Sequence, residues 1–381
     1  MNHPRAWVDI HLNRLNHNVQ QINALISKKT KIMAVVKADA YGHGLEQIVL
    51  SLHKVGVTSY AVATLEEAIE VRGLLPTADI LILGLTPIHN VYLLAHHRLI
   101  QTVFSESYVK SLAAAATSAG ILIEIEIKVD TGMNRIGFAY DQINAIKIVF
   151  SYNSLRVNGI YSHLSVADSF KPEDVAFTQV QINRYELCLK ELDGFSYGRT
   201  HLQNSAGIIN QSHLQFDYVR PGIMLFGIPS GEVKKVDLKP VLELKASISM
   251  IKTVRAEEYI GYGRIVKFTK PKKIATVSIG YADGYPRSLS GKGVPVLVNG
   301  QYANLVGRVC MDQLMIDVTN IDGVSEEDQV ILIGTSQTKR IMMSTIAEQT
   351  HTITNDLACQ FSLRTVRLYT TSNKKDVETV V

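Results

Sequence analysis

The sequence predicts an α/β protein in two parts, an N-terminal (β/α)8 TIM-type barrel and a C-terminal mainly β domain. Three observations carry this prediction. Eight apolar, strand-like runs alternate with helical patterns in the N-terminal part, over about 200 residues. No GxGxxG turn follows the first of these runs, which argues against a doubly wound open sheet. Around 230–240 the stretch SGEVKKVDLKP is polar and holds Gly and Pro, as a linker does, and strand-like runs without long helices follow it.

In chain order, AWVDI at 6–10 reads as a short strand before a helix over 11–27. The eight runs are 31–37, 59–64, 80–84, 99–104, 121–130, 157–164, 200–205 and 218–223, with helical patterns at 65–74, 106–119, 141–151 and 173–192. In the fifth run Glu124, Glu126, Lys128 and Asp130 alternate with Ile125, Ile127 and Val129. Period two puts the charges on one face, which in a barrel points inward, and inward charges must be paired. For Glu124 and Glu126 a structural ion network is expected, with function only near the C-terminal end of the strand. The barrel is assigned to 11–233 and the β domain to 234–381, with strands at 241–254, 274–280, 294–298, 303–307, 313–318 and 329–333 and a helix near 344–350. The last ten residues are polar, and fraying is expected there.

With 381 residues, 46% hydrophobic and 19% charged, the composition is that of a globular protein with a large core. A net charge of +4 without a basic run argues against nucleic acid and anionic membranes. The N-terminus lacks the apolar segment of a secretory signal, and no run reaches the roughly 18 residues of a membrane span, so a cytoplasmic protein is expected. Cys188, Cys310 and Cys359 have no CxxC spacing and are expected to be thiols outside any zinc site.

Polar residues at strand C-termini mark the active face of such a barrel. Lys37 ends the first strand in AVVKADAYGHG (34–44), where burial would lower its pKa and make it a nucleophile or base. Arg135 lies in KVDTGMNRIGF, His163 in YSHLSVAD, Asn204 and Ser205 in HLQNSAG, and Arg220 in VRPGIMLFG. The loops after strands seven and eight are the usual phosphate site, where Ser205 offers a hydroxyl and Gly222 and Ile223 offer backbone N–H groups.

Residues 34–44 resemble, position for position, the pyridoxal-phosphate attachment motif of the bacterial alanine racemases, and further motifs in family order extend the likeness from Ile10 to about Arg367. They include EEYIGYGRIVKF with Tyr262, SIGYADGYPRS, and GRVCMDQLMIDVT with Met311. The resemblance implies a homodimeric isomerase that interconverts L- and D-alanine with pyridoxal 5′-phosphate and supplies D-alanine for peptidoglycan. It also implies that the 6–10 strand joins the β domain.

By resemblance, Lys37 carries the cofactor and is one base, while Tyr262 from the partner subunit is the other. Tyr41, Ser205, Gly222 and Ile223 hold the cofactor phosphate, Asn204 lies beside the cofactor, and His163 links Tyr262 to Arg220. Arg220 faces the pyridine nitrogen, where an always-protonated guanidinium keeps the ring a weak electron sink. Arg135 and the Met311 N–H hold the substrate carboxylate, and Lys128 is a position carbamylated in several relatives. No metal is implied.

One stretch departs from the family. TNDLACQFSLRTVR carries Asn355 and Asp356 in place of a Tyr-Glu pair and Leu363 in place of a tyrosine. That leaves room for a side chain larger than methyl, so racemisation of serine is an alternative. A barrel decarboxylase would pair the ring nitrogen with a carboxylate, against Arg220. A non-catalytic pyridoxal-phosphate-binding protein would lack the β domain.

Overall fold

The structure is a computed structural model that describes residues 4–229, 231–371 and 378–379. The fraying expected of the last ten residues falls, apart from 378–379, outside the described residues. The chain divides into two compact units, one of residues 15–40 and 45–239, the other of the N-terminus to Arg14, Tyr41–Gly44 and Pro240 onward.

The first unit is the barrel. Following β1 (Ala6–His11), which belongs to the second unit, come β2 (Lys31–Val35), β3 (Ser59–Val62), β4 (Asp79–Ile82), β5 (Ile100–Val103) and β6 (Ile123–Asp130). A two-residue β7 (Phe138–Ala139) pairs with β6, and β8 (Leu155–Tyr161), β9 (Arg199–His201) and β10 (Tyr218–Val219) complete the set. All pair in parallel in the order β5-β4-β3-β2-β10-β9-β8-β6, and β5 also pairs β6, which closes an eight-stranded barrel. Some of the helices between them start on side-chain caps that satisfy orphan N–H groups. Thr64 and Glu67 form a capping box on helix Leu65–Leu74, and Ser105 accepts from the Tyr108 N–H on helix Glu106–Ala119, which ends on left-handed Gly120.

In β6 the expected alternation holds. Glu126 and Lys128 are buried in the interior; Glu124 pairs with Arg156 and accepts from Asn158, Glu126 bonds the imidazole of His201 at 2.7 Å, and Lys128 Nζ meets a backbone carbonyl and not a carboxylate.

In the second unit β1 pairs antiparallel with β11 (Leu242–Val254). The hairpin of β12 (Tyr259–Ile260) and β13 (Val266–Lys267) follows, then β14 (Lys272–Val277), β15 (Pro295–Val298), β16 (Gln301–Val306), β17 (Leu314–Asp317) and β18 (Gln329–Ser336). β18 also pairs β11, so six strands, β11-β14-β17-β16-β15-β18, close on themselves. β19 (Lys339–Ile341) extends β18, and β20 (Val366–Thr370) runs parallel to β1. Helices Met343–Gln349 and Thr354–Cys359 precede β20; only the first is legible in the sequence. No helix among the described residues is long and apolar enough to cross a membrane.

Candidate active site

Lys37 does not end its strand, as the sequence suggests, but stands two residues past it and opens a turn. Ala38, Asp39, Ala40 and Tyr41 have φ of 51–54° and Gly42 has 76°, so the turn is left-handed. Each non-glycine residue there costs about 1–2 kcal/mol, so surrounding bonds must hold it. On the barrel, the Ala38 N–H donates to Glu67 Oε1 and the Leu45 N–H to Asp39 Oδ1, each at 2.7 Å. In the second unit, Arg367 Nε donates to the Gly42 carbonyl at 2.9 Å and the Tyr369 hydroxyl to the His43 carbonyl at 3.3 Å. A Cβ on Gly42 would lie 2.2 Å from the Ala358 carbonyl oxygen, so that position needs glycine for space as well as for φ. Tyr41 is buried, and burial, then Cys359, pushes its phenol above the usual value.

Arg220 directly follows β10 and is buried at the C-terminal end of the barrel. Its Nη1 donates to His201 Nδ1 at 2.5 Å, and its Nη2 to the carbonyls of Ser162 (2.6 Å) and Leu202 (3.1 Å) and to His163 Nδ1 (3.3 Å). The guanidinium lies 5.0 Å from the Tyr161 ring centroid. Burial lowers its pKa from the ordinary value, yet an arginine remains protonated and can only donate. Donors stand at both ring nitrogens of His163, Arg220 Nη2 at Nδ1 and Asn204 Nδ2 3.4 Å from Nε2; with the ring proton on Nε2, Nδ1 accepts from the guanidinium. Burial first, then Arg220, Lys128, Arg135 and Lys37, holds His163 well below the usual imidazole value, so the ring is neutral. Lys37, Lys128, Arg135 and Arg220 thus all lie near enough to bear on the charge of His163.

Lys128 is buried, and its Nζ donates to the Val129 carbonyl at 2.7 Å. Burial, then Arg220 and Arg135, lowers its pKa to about 7 against the opposing pull of Asp130. Asp130 Oδ1 accepts from the N–H groups of Gly132 (2.8 Å) and Asn134 (3.1 Å) and so shapes the loop that carries the exposed Arg135.

Asn204 caps the short helix Ser205–Asn210. Its Oδ1 accepts from the Gly207 N–H at 2.9 Å, and its Nδ2 donates to the Leu164 carbonyl at 3.0 Å, which places it against His163. Ser205 Oγ accepts from the N–H groups of Gly222 (3.0 Å) and Met224 (3.3 Å). Ile223, between these two donors, opens the 3₁₀ turn Ile223–Phe226.

In the second unit Tyr262 stands at the tip of the β12–β13 hairpin between Gly261 (φ 66°) and Gly263 (φ 73°). Ile260 and Phe268 anchor that hairpin in an apolar cluster with Val254 and Ile274, while Tyr262 itself is 70% exposed. A Cβ on Gly263 would lie 2.8 Å from the Arg308 guanidinium carbon. Met311 is also exposed; its carbonyl accepts from the Ala282 N–H at 3.0 Å and the Cys310 carbonyl from the Tyr281 N–H at 3.0 Å. Buried Asp283 braces this loop, taking the Gly280 N–H at 2.9 Å and both terminal nitrogens of Arg5 at 2.5 and 3.2 Å. Leu363 is 93% exposed.

Two groups escape the sequence reading. His201 faces inward beside Arg220, a position that period two along THLQN would mark. Gln181, buried on helix Pro172–Glu191, donates to the His163 carbonyl at 3.2 Å and accepts from the Ser165 N–H at 2.9 Å, so it fixes the His163 loop; no sequence signal distinguishes it from other helix glutamines.

Comparison with known proteins agrees with this geometry. Residues 10–230 match the family model for the alanine racemase N-terminal domain and residues 241–369 that for the alanine racemase C-terminal domain. The alanine racemase of Clostridium novyi (strain NT) is 41% identical over 370 residues, 96% of this chain and 95% of that protein. A solved alanine racemase of Clostridium difficile 630 superposes with a TM-score of 0.92 at 33% identity, covering 100% of this chain and 99% of that one. The serine/alanine racemase of Enterococcus gallinarum is 39% identical over 94% of this chain, which spans 51% of that longer protein. The barrel with its β domain and the full-length likeness to racemases mark the chain as an isomerase of the racemase class. The chain belongs to the alanine racemase family.

Proposed function

We propose that the chain interconverts L- and D-alanine with pyridoxal 5′-phosphate. The residues present fit that group. Ser205 Oγ gathers the Gly222 and Met224 N–H groups on the loops after the seventh and eighth barrel strands, a place suited to an anion, and Lys37, neutral His163 and buried Arg220 follow strands at the same end of the barrel. Lys37 would hold the cofactor covalently; Tyr41, Ser205, Gly222 and Ile223 its phosphate; Asn204, His163 and Arg220 its ring. When bound, the cofactor supplies a sink for the electron pair left on Cα. Arg220, which only donates, would face the ring nitrogen and could not give it a proton, which would limit that sink and discourage side reactions. The observation that carries the reading is this buried, donor-only guanidinium flanked by His163.

Racemisation takes a proton from one face of Cα and delivers one to the other. Lys37 Nζ serves one face and the hydroxyl of Tyr262 of the partner subunit serves the other. The Nε2–H of His163 would stabilise that phenol as its oxyanion, backed by the charge of Arg220. Arg135 and the Met311 N–H of the partner subunit orient the substrate carboxylate. Carbamylation at Lys128, favoured by its lowered pKa, would place an anion beside Arg135. Exposure of Tyr262, Met311 and Leu363 supports a homodimer that covers them. A cytoplasmic enzyme feeding D-alanine to peptidoglycan fits this chemistry.

The test is a racemisation assay over a panel of amino acids in deuterated water. Alanine should gain deuterium at Cα with no release of carbon dioxide, and carbon dioxide release or an inert alanine Cα would refute the proposal. A broader specificity that includes serine is the second reading. It is favoured by Leu363 at the position of the family tyrosine and by the similarity to a serine/alanine racemase.

A further inference from the structure

We propose that Glu126 is a positioning residue for this reaction, supplying the counter-charge of Arg220 through His201 and so fixing the guanidinium at the barrel mouth. The inference rests on the role of Arg220 given above. Arg220 Nη1, His201 and Glu126 form a line, with Nη1 2.5 Å from His201 Nδ1 and His201 Nε2 2.7 Å from Glu126 Oε2. All three side chains are buried. Because the guanidinium only donates, His201 accepts at Nδ1, and its one ring proton sits on Nε2 and goes to the carboxylate. A neutral imidazole thus joins an anion to a cation, and burial, which lowers the pKa of His201, keeps it neutral.

The barrel wall is shaped to admit this carboxylate. The register of β6 on β8 slips there: Ile125 lies opposite Val157 but Glu126 opposite Gly159, so Asn158 is the extra residue of a bulge. Bulges re-aim side chains next to sites. Gly159 stands inside a strand, where glycine weakens pairing. A Cβ on it would lie 2.9 Å from the Glu126 carboxyl carbon and Oε1, and equally close to the Arg199 carbonyl. Charge supplies the reason for such provision. Lys128 has Asp130 as its nearby anion; beside Arg220 lie Tyr161 and Tyr185, whose phenols burial keeps protonated, and Glu126, the one carboxylate among these three. Without it, Arg220 would be a buried cation with only neutral phenols, imidazoles and carbonyls around it, an arrangement that favours its displacement.

Glu126→Gln keeps shape and an acceptor but removes the charge. In the full-length protein kcat is expected to fall at least about tenfold, with KM within about twofold, because a bond to a charged group is lost from the site and not from substrate binding. The His201 Nε2–H proton resonance should move upfield as its bond loses charge assistance. Glu126→Asp, which keeps the charge, should recover part of kcat. Wild-type kcat with an unmoved resonance in Glu126→Gln overturns the proposal. If that variant does not fold, Gly159→Ala decides, since it pushes the carboxylate off His201; wild-type kcat and resonance there are equally fatal. The resonance is read without substrate, so it reports on the Glu126–His201 pair even if no amino acid in the panel turns over.

Discussion

Lys128 offers the sharpest test of the barrel electrostatics. It is 4% exposed, and burial, then Arg220 and Arg135, lowers its pKa from 10.5 to about 7. That difference is on the order of 5 kcal/mol against the charged form. Below about pH 7 both folded and unfolded chains hold the proton, and the folded state bears the full cost. Between about pH 7 and 10.5 the unfolded chain binds one proton more than the folded one, so this group makes stability rise by about 1.4 kcal/mol per pH unit. Lys128→Met removes the group and the slope. Urea unfolding of both proteins at pH 7, 8 and 9 in carbonate-free buffer should show the variant's advantage shrinking as pH rises, with any packing change adding a constant. Bicarbonate should erase the wild-type deficit near neutrality by converting the amine to a carbamate, and ¹³C-bicarbonate should give a bound signal that Lys128→Met lacks. A stability difference flat in pH and indifferent to bicarbonate would refute the reasoning.

Other consequences are as direct. Mixing Lys37→Ala and Tyr262→Phe chains should restore up to about a quarter of wild-type activity, because a heterodimer holds one intact site of two; no recovery after subunit exchange, followed by turnover, would place both bases in one chain. Gly42→Ala meets a left-handed φ and the Ala358 carbonyl at 2.2 Å, so a loss of about 3 kcal/mol or more in urea unfolding is expected. Leu363→Tyr should lower D-serine turnover relative to D-alanine in a polarimetric comparison, and an unchanged ratio would remove Leu363 from the specificity account.

What the sequence discloses follows from which physics is local. Period-two and helical patterns expose the barrel because burial acts residue by residue, and the alternation of β6 shows Glu126 and Lys128 inside before any contact is known. The strand-end rule then points to Lys37, two residues past its strand, and to His163, Asn204, Ser205 and Arg220. What it does not find depends on neighbours far along the chain. The left-handed turn after Lys37 is unreadable in KADAYG, since three of its first four residues would individually favour other conformations and only long-range bonds, such as those from Glu67 and Arg367, hold it. The helix Thr354–Cys359 is too short for a periodic signal.

The same distinction separates Glu126 from Glu124. Both alternate correctly in β6, and the sequence gives no reason to treat them differently. Glu124 meets Arg156 and Asn158, and its partner Arg156 is exposed, so solvent screens that pair. Two residues on, Glu126 meets a buried histidine and through it a buried arginine, where no water shares the charge. Equal charge and equal periodicity therefore yield a surface ion pair at one end of the strand and a lever on the site further along it, and depth in the barrel decides which is which.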